Sequence, residues 1–291
     1  MEYEGQICRG PMERGSYMLP TAVGCSYNAC RFCMLFKHLK YRELPLEQIE
    51  GDLVRVKKTG GRPTRVFLGD GNAFCTDPER LKSILRLVRQ YFPDVEGINM
   101  DATVTGVSQK NDADLRELRE LGVDRLYLGI ESGLDDVLHL MNKDHTLVQA
   151  YEQISRLHES GISYGAHIMT GVAGKDRGIE NAEATAEFLS RTAPRAVINF
   201  SMFVHRSAPL YRLIESGRFT PASELENLIE GRRLLELLMT EGLDFDGFHD
   251  YIEFRVRGRL PDDKQKMLDK LDAEIERRRT TDLDKEISWS R

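Results

Sequence analysis

A regular alternation of strand-like and helix-like segments is the feature that most constrains the fold of this 291-residue chain. Short apolar segments predict strands, and segments with apolar residues at helical spacing follow them. The predicted strands are 17–23, 65–68, 97–103, 125–130, 163–169 and 196–204. Such alternation is typical of a parallel α/β sheet covered by helices. Six units fit an incomplete (β/α)6 TIM-like barrel better than a full eightfold barrel. A doubly wound sheet stays open as an alternative, because the sequence does not give the strand order.

Capping residues mark where several of the predicted helices begin. Asp77 and Asn111 are N-cap residues, and Ser223 forms a capping box with Glu226. One continuous helix is predicted from the end of the fourth strand to about Ser160. The segment 245–256 is aromatic and mixed, and it gives no clear periodicity.

Polar side chains recur on one face of four predicted strands. Successive residues of a strand point to opposite faces, so residues two apart share a face. The polar positions are Asn99, Asp101, Thr103, Tyr127, Glu131, His167, Asn199, Ser201 and His205. The opposite faces, which include Met100, Leu128, Ile168 and Phe200, are apolar and are predicted to pack on helices. We therefore expect the polar face to bind a ligand at the carboxyl ends of the strands.

Three of the chain's five cysteines lie within nine residues, at Cys25, Cys30 and Cys33. They follow the first predicted strand and therefore lie on a loop. Iron–sulfur clusters normally take four protein thiolates, so three would leave one iron open to a cofactor or substrate. A zinc site is the alternative, because these cysteines and His38 make a Cys3His set.

The stretch from Gly24 to Cys33 resembles the radical S-adenosylmethionine (radical SAM) superfamily, whose motif is Cys-x3-Cys-x2-Cys with an aromatic residue before the last cysteine. Phe32 holds that aromatic position, whereas four residues separate the first two cysteines here. The surrounding residues look like a branch related to oxygen-independent coproporphyrinogen oxidases. The resemblance implies that Cys25, Cys30 and Cys33 hold a catalytic [4Fe–4S] cluster, that S-adenosylmethionine is the cofactor and that a flavodoxin- or ferredoxin-type protein donates electrons.

The same resemblance implies a set of cofactor contacts. Gly69-Asp70-Gly71 matches a Gly-Gly-Glu stretch that meets the methionine amino group, with Asp70 and Gly71 in place of the second Gly and the Glu. On the third strand, Asp101 matches an acidic position suited to the ribose diol. Glu131 and Ser132 fall in a region that contacts the cofactor, Lys143 would pair with its carboxylate, and His167 lies near the adenine.

Candidate substrate contacts are Asn199, Ser201, His205 and Arg206. A His-Arg pair at the carboxyl end of a strand could bind a carboxylate or phosphate, and it could equally be an exposed loop. No role follows for Cys8 or His249. Cys75 is either a buried small residue or a thiol on the substrate side.

These observations predict an N-terminal extension at 1–16, a radical SAM partial barrel at 17–216 and a mostly helical extension at 217–291. The resemblance implies reductive cleavage of S-adenosylmethionine to methionine and a 5′-deoxyadenosyl radical, which abstracts hydrogen from a small substrate. A methyltransferase that uses a second S-adenosylmethionine is one alternative. A zinc-stabilised α/β binding protein without redox chemistry is the other.

Composition narrows the choice of partners and compartment. The chain has 41 basic and 47 acidic residues, a formal charge of −6, which argues against a nucleic-acid partner. No apolar stretch reaches the length of a membrane span, and the acidic start at residues 1–4 lacks the apolar core of a signal peptide. An odd, clustered set of cysteines is typical of a reducing compartment, so a cytoplasmic location is expected.

Overall fold

The computed structural model describes Glu4, residues 8–249 and residues 252–281. The start at residues 1–3 and the end of the predicted C-terminal extension therefore lie outside the described residues. The chain divides into two compact units. The first unit comprises Met1–Asn28, Leu35–Leu128 and Gln149–Tyr164, and the second comprises Ala29–Met34, Gly129–Val148 and Gly165–Arg291. The predicted domain boundaries after residues 16 and 216 stay a prediction.

The strands are numbered in chain order. They are β1 (Tyr17–Pro20), β2 (Ala22–Val23), β3 (Arg42–Glu43), β4 (Arg65–Gly69), β5 (Gly97–Ala102), β6 (Val123–Glu131), β7 (Ser163–Thr170), β8 (Ala196–Ser201), β9 (Asp244–His249) and β10 (Phe254–Arg259). Five of the six predicted strands are confirmed, and the first, predicted at 17–23, is divided into β1 and β2, which pair with different strands. The mixed segment that follows them supplies β9 and β10.

The helices are also numbered in chain order. They are α1 (Leu46–Lys58), α2 (Pro78–Tyr91), α3 (Val104–Ser108), α4 (Asp112–Glu120), α5 (Asp135–Leu140), α6 (Leu147–Glu159), α7 (Gly178–Thr192), α8 (Tyr211–Glu215), α9 (Glu224–Leu237) and α10 (Lys264–Thr281). The predicted caps are confirmed, because Asp77 accepts the N–H groups of Glu79 and Arg80 and the capping box of Ser223 and Glu226 is present. Among the described residues, none of the helices is both long and apolar enough to cross a membrane.

In the first unit, β1, β4, β5 and β6 pair in parallel in that order. Asp101 is in register with Tyr127, so the two side chains share a face of the sheet, as the alternation predicts. The apolar face supplies fully buried side chains such as Met100 and Leu128, and α2 adds Leu81 and Ile84 to the core. The carboxyl ends of four parallel strands thus lie at one edge of this unit.

A buried carboxylate from the N-terminal segment occupies part of that polar face. Glu13 is fully buried, and its Oε1 accepts hydrogen bonds from the Asn99 amide at 2.7 Å and the Tyr127 hydroxyl at 2.6 Å. Burial is the largest cause that raises the pKa of Tyr127 above its ordinary value, and the negative charge of Glu13 raises it further. Asn99 and Tyr127 are therefore satisfied by the chain itself. Sequence analysis missed Glu13 because its position precedes every predicted element.

In the second unit, β7, β8 and β9 pair in parallel, and β10 pairs antiparallel with β9. Helices α7 and α9 pack against one another. An apolar cluster that includes Met141, Val172, Met202 and Leu210 forms part of the core, and Phe32 packs against it. The aromatic residue before the last cysteine therefore anchors its loop in this core.

The continuous helix predicted up to Ser160 is wrong, because the segment forms α5 and α6 with a break between them. Helix α5 ends at Leu140, and Asn142 adopts a left-handed φ of 53°. Asparagine tolerates this conformation better than most residues and commonly ends helices there. The break matters because Lys143, a predicted cofactor contact, lies within it.

The assignment of faces on β8 is also wrong. Asn199 lies in register with Ile168 and Ser201 with Thr170, whereas Phe200 lies in register with Met169. The amide oxygen of Asn199 accepts the Thr170 N–H at 3.3 Å, and Ser201 donates to Glu224 of α9 at 3.1 Å. The polar face of β8 therefore meets polar groups that α9 carries inward.

Candidate cofactor site

The first part of the cysteine loop is tied to the loop that follows β4. The backbone N–H of Gly24 donates to Asp70 Oδ2 at 3.2 Å. Thr21 donates twice to the carbonyl oxygen of Gly69, from its N–H at 2.5 Å and from its hydroxyl at 2.7 Å. The residue before Cys25 and the predicted Gly69-Asp70-Gly71 stretch therefore lie together in the first unit.

Asp70 has the properties of a ligand-binding carboxyl group. It is buried, and its Oδ1 has no hydrogen-bond partner in the part of the chain that the structure describes. Burial raises the pKa of Asp70 to about 6, and the negative charge of Asp101 adds to this, while the N–H groups of Gly24 and Gly71 oppose it. Buried polar atoms are rarely left without a partner. A ligand that brings an ammonium or hydroxyl donor would satisfy Oδ1.

Close packing explains why this loop has glycine at positions 69 and 71, and the sequence alone did not indicate it. A Cβ on Gly71 would lie 2.3 Å from the Phe36 ring, and a Cβ on Gly69 would lie 2.6 Å from Met18 Cε. Both distances are shorter than real carbon contacts. These glycines therefore allow close packing against protein side chains.

The second part of the cysteine loop is held by the break between α5 and α6. Arg31 makes three hydrogen bonds here. Its backbone N–H donates to the Met141 carbonyl at 2.9 Å, and its guanidinium donates to the Leu140 carbonyl at 2.5 Å. Its own carbonyl accepts the Leu210 N–H at 2.8 Å. The Asn142 amide donates to the Ala29 carbonyl at 3.0 Å. The backbone around Cys30 is thus fixed by bonds within the second unit.

Lys143 and Glu131 form a buried ion pair beside this part of the loop. Their Nζ and Oε1 atoms are 3.1 Å apart, and the side chains are 5% and 9% exposed. Burial lowers the pKa of Lys143, but the negative charges of Glu131 and then Cys30 outweigh it and raise the pKa above its ordinary value. Lys143 also lies 5.9 Å from the centre of the Phe32 ring. A Cβ on Gly129 would approach Lys143 Nζ to 2.9 Å.

The structure brings together Cys30, Phe32, Glu131 and Lys143, and the role of Phe32, Glu131 and Lys143 as cofactor contacts stays a prediction. Ser132 lies next to them, but its hydroxyl donates to Asn181 of α7 at 2.5 Å. His167 stacks on Phe200, with ring centres 5.4 Å apart and planes 11° apart.

The predicted substrate residues do not form one group. Asn199 and Ser201 face α9, which is a correction to the prediction that they share a ligand-binding face. His205 bonds the Ser207 hydroxyl at 2.7 Å, and Arg206 is exposed. His205 and Arg206 therefore remain available as substrate contacts.

Two further residues each lie in a polar cluster: Cys75, predicted as a buried small residue or a thiol on the substrate side, and His249, which has no predicted role. Cys75 Sγ accepts from the Asn72 amide at 2.8 Å, and the same amide donates to Ser26 Oγ at 2.9 Å, next to Cys25. His249 lies 3.2 Å from Glu224, and both are buried.

The three cysteines of the loop are the candidate ligands for a metal group. Across residues 8–249 and 252–281, no three His, Cys, Asp or Glu side chains converge closely enough to hold one metal ion. His38, the fourth ligand of the zinc alternative, is exposed. Cys25, Cys30 and Cys33 are half-buried, and thiolates are the ligands that an iron–sulfur cluster takes.

Comparisons with known proteins agree with this chemistry. A family model described as the radical SAM superfamily matches residues 19–189. The heme chaperone HemW of Bacillus subtilis (strain 168) is 22% identical over 231 residues, which cover 76% of this chain and 58% of that protein. The chain thus spans little more than half the length of this relative.

Two solved structures share the fold at low sequence identity. Methylornithine synthase (PylB) gives a TM-score of 0.56 at 18% identity and covers 88% of this chain and 68% of its own. Coproporphyrinogen III oxidase (HemN) from Escherichia coli gives 0.57 at 15% identity, with 76% and 50% covered.

The comparisons also bear on two predictions. They confirm the predicted α/β fold, which is open, barrel-like and mostly parallel, with C-terminal helices. HemW and HemN support the predicted relation to the coproporphyrinogen-oxidase-like branch. The family consists of enzymes that use a [4Fe–4S] cluster and S-adenosylmethionine. Because its model matches more than half of the chain, this protein belongs to the radical SAM superfamily.

Proposed function

We propose that this chain is a radical SAM enzyme that acts on a small molecule. The observation that carries the proposal is that the family match spans the cysteine loop, Asp70, Asp101, Glu131 and Lys143 together. Cys25, Cys30 and Cys33 would hold the [4Fe–4S] cluster. When bound and reduced, the cluster supplies the electron that cleaves S-adenosylmethionine to methionine and a 5′-deoxyadenosyl radical, which abstracts hydrogen from the substrate.

Asp70 and Asp101 would contact the amino group and the ribose of the cofactor. Asp70 offers a buried oxygen that lacks a donor, and Asp101 adds negative charge nearby. This combination favours an ammonium or hydroxyl group over an anion. The short contacts between Thr21 and Gly69 hold the Asp70 loop in place while a ligand binds.

Lys143 would pair with the carboxylate of the cofactor. Lys143 stays protonated because Glu131 and Cys30 raise its pKa, so it presents a fixed positive charge to a carboxylate. Glu131 keeps the ammonium oriented. The apolar packing of Phe32 excludes water from the base of the loop.

The substrate would lie near the carboxyl ends of β7 and β8. His205 and Arg206 favour an acidic substrate such as a carboxylate or phosphate. His167, stacked on Phe200, presents a flat surface suited to the adenine of the cofactor. A flavodoxin- or ferredoxin-type protein would supply the electron.

The test is anaerobic reconstitution of cysteine variants. Replacing Cys25, Cys30 or Cys33 by Ala should remove the dithionite-bleached visible absorption and abolish formation of 5′-deoxyadenosine, because each supplies one of three thiolates. Cys8→Ala is the matched control and should retain both. If a single loop variant formed 5′-deoxyadenosine at the wild-type rate, the cluster assignment would be wrong.

The alternatives give different outcomes in the same experiment. A zinc-stabilised binding protein would be colourless, and His38→Ala would then lose metal, whereas His38→Ala should not change the iron content of a radical SAM enzyme. A methyltransferase would form S-adenosylhomocysteine when the substrate is supplied.

A further inference from the structure

The turn that follows β6 is held in an unusual backbone conformation. Glu131 has a φ of 65°, a left-handed value that residues other than glycine rarely adopt. The turn continues with Gly133, whose N–H donates to the Thr185 hydroxyl of α7 at 2.9 Å, and whose added Cβ would lie 2.3 Å from Ala184. The Leu134 N–H donates to Ser132 Oγ at 3.1 Å. Helix α7 therefore shapes this turn.

Asn181 of α7 connects the turn to a buried carboxyl group. Its Oδ1 accepts from the Ser132 hydroxyl at 2.5 Å, and its Nδ2 donates to Glu230 Oε1 of α9 at 2.6 Å. The two ends of an amide differ little in shape, so the partners decide its orientation. Because Glu230 accepts, the amide nitrogen turns toward it and the oxygen turns toward Ser132.

The second oxygen of Glu230 holds the turn that follows β7. Its Oε2 accepts the Gly171 N–H at 2.8 Å, where Gly171 has a φ of 80°. Glu131, Asn181 and Glu230 also line one small cavity of about 10 Å³. One carboxyl group therefore contacts the turn after β7 directly and the turn after β6 through Asn181.

A merely structural role would not require a carboxyl group at this position. Glu230 is 2% exposed, and its hydrogen-bond partners in the described residues are an amide and a backbone N–H, with no cation among them. Burying a carboxyl group without a cation is costly, and apolar residues fill such positions more favourably. The hydrogen bonds from the Asn181 amide and the Gly171 N–H are what the carboxyl group adds.

We propose that Glu230 is a positioning residue that, through Asn181 and Gly171, holds the turns after β6 and β7 in the arrangement that binds S-adenosylmethionine. It acts on the cofactor through Ser132 and Glu131, and through Glu131 on Lys143. This inference rests on the proposed function, because it takes Glu131 and Lys143 as cofactor contacts.

The experiment compares Glu230→Leu and Glu230→Gln with a control in the same helix. Leu235→Ala is the control, because Leu235 is fully buried in α9 and its loss lowers stability without touching the network. Two quantities are measured: amide hydrogen exchange of residues 131–134 and Gly171, and the Kd of S-adenosylmethionine for the cluster-loaded protein by calorimetry.

Glu230→Leu should speed exchange in both turns and raise the Kd at least tenfold. Glu230→Gln keeps one acceptor oxygen, so both effects should be smaller. Leu235→Ala should lower the unfolding midpoint and leave the Kd and the exchange of both turns unchanged.

Two results would overturn the proposal. One is unchanged exchange at 131–134 in Glu230→Leu. The other is a rise in Kd for Leu235→Ala equal to that for Glu230→Leu, which would make the effect one of stability alone. If the wild-type protein itself did not bind S-adenosylmethionine, the proposed function would fail and this role with it. Wild-type binding with unaffected variants would reject the positioning role only.

Discussion

Substitution of Lys143 most directly tests the proposed division between cofactor contacts and substrate contacts. It is buried, paired with Glu131 and close to Cys30. Lys143→Ala should raise the Kd of S-adenosylmethionine by about 10- to 100-fold, because a charge-assisted hydrogen bond contributes about 1.5–3 kcal/mol. Cofactor cleavage should also slow without any substrate present.

Arg206→Ala is the control for this prediction, because Arg206 is exposed and is proposed to contact only the substrate. It should leave the Kd of the cofactor and the uncoupled cleavage nearly unchanged. Calorimetric titration of S-adenosylmethionine into both variants measures the two Kd values. Equal weakening of cofactor binding in the two variants would contradict the division between cofactor and substrate contacts.

For single residues, the sequence indicated which side chains could bind a ligand, but it did not indicate which protein groups they contact. It indicated Glu131 and Lys143 separately, and only the structure shows them as one ion pair. Asn199 shows the limit, since alternation assigned it to a ligand-binding face. A strand's polar residues can be satisfied either by a ligand or by a helix, and the pattern of the strand alone does not distinguish these cases.

The 3-10 turn at Pro11–Glu13 is an element whose contribution to stability can be measured. Glu13→Ala would remove the acceptor of the Asn99 amide and the Tyr127 hydroxyl, both buried. A buried donor left without a partner costs about 1–3 kcal/mol. The free energy of unfolding should therefore fall by at least about 2 kcal/mol, measured by urea denaturation.

Glu13→Gln should lose less than Glu13→Ala, because it keeps an acceptor oxygen of the same shape. Glu120→Ala at the end of α4 is the matched control, because Glu120 is exposed. Surface changes of this kind usually stay within about 0.5 kcal/mol. Equal effects of Glu13→Ala and Glu120→Ala would show that the buried carboxylate does not hold the N-terminal segment.

Helix starts were predictable from the sequence where capping residues determine them. Asp77 and the capping box at Ser223 fixed two helix starts, and both are observed. The break at Asn142 was missed because apolar spacing continues across it. The face of β8 was misassigned because α9, more than twenty residues later, carries Glu224, Asn227 and Glu230 inward. Such polar helix faces follow from tertiary packing and leave no periodic signal in the strand.

For the whole molecule, two buried carboxyl groups contribute to the dependence of stability on pH. Burial raises the pKa of Glu230 to about 8, and the bonds from Asn181 and Gly171 only partly oppose it. The pKa of Asp70 is raised to about 6. Both groups bind protons more tightly in the native protein than in the unfolded chain. Their stabilising contribution is therefore present at low pH and is lost as the pH rises through the native pKa.

The urea midpoint of the wild-type protein should accordingly fall between pH 6 and about 9. Glu230→Gln does not titrate, so its midpoint should fall less across the same range. Asp70→Asn is the control, because the titration of Asp70 is nearly complete at pH 7 and the decline above that pH should match the wild type. A decline in Glu230→Gln as steep as that of the wild type would show that this carboxyl group does not hold its proton in the native state.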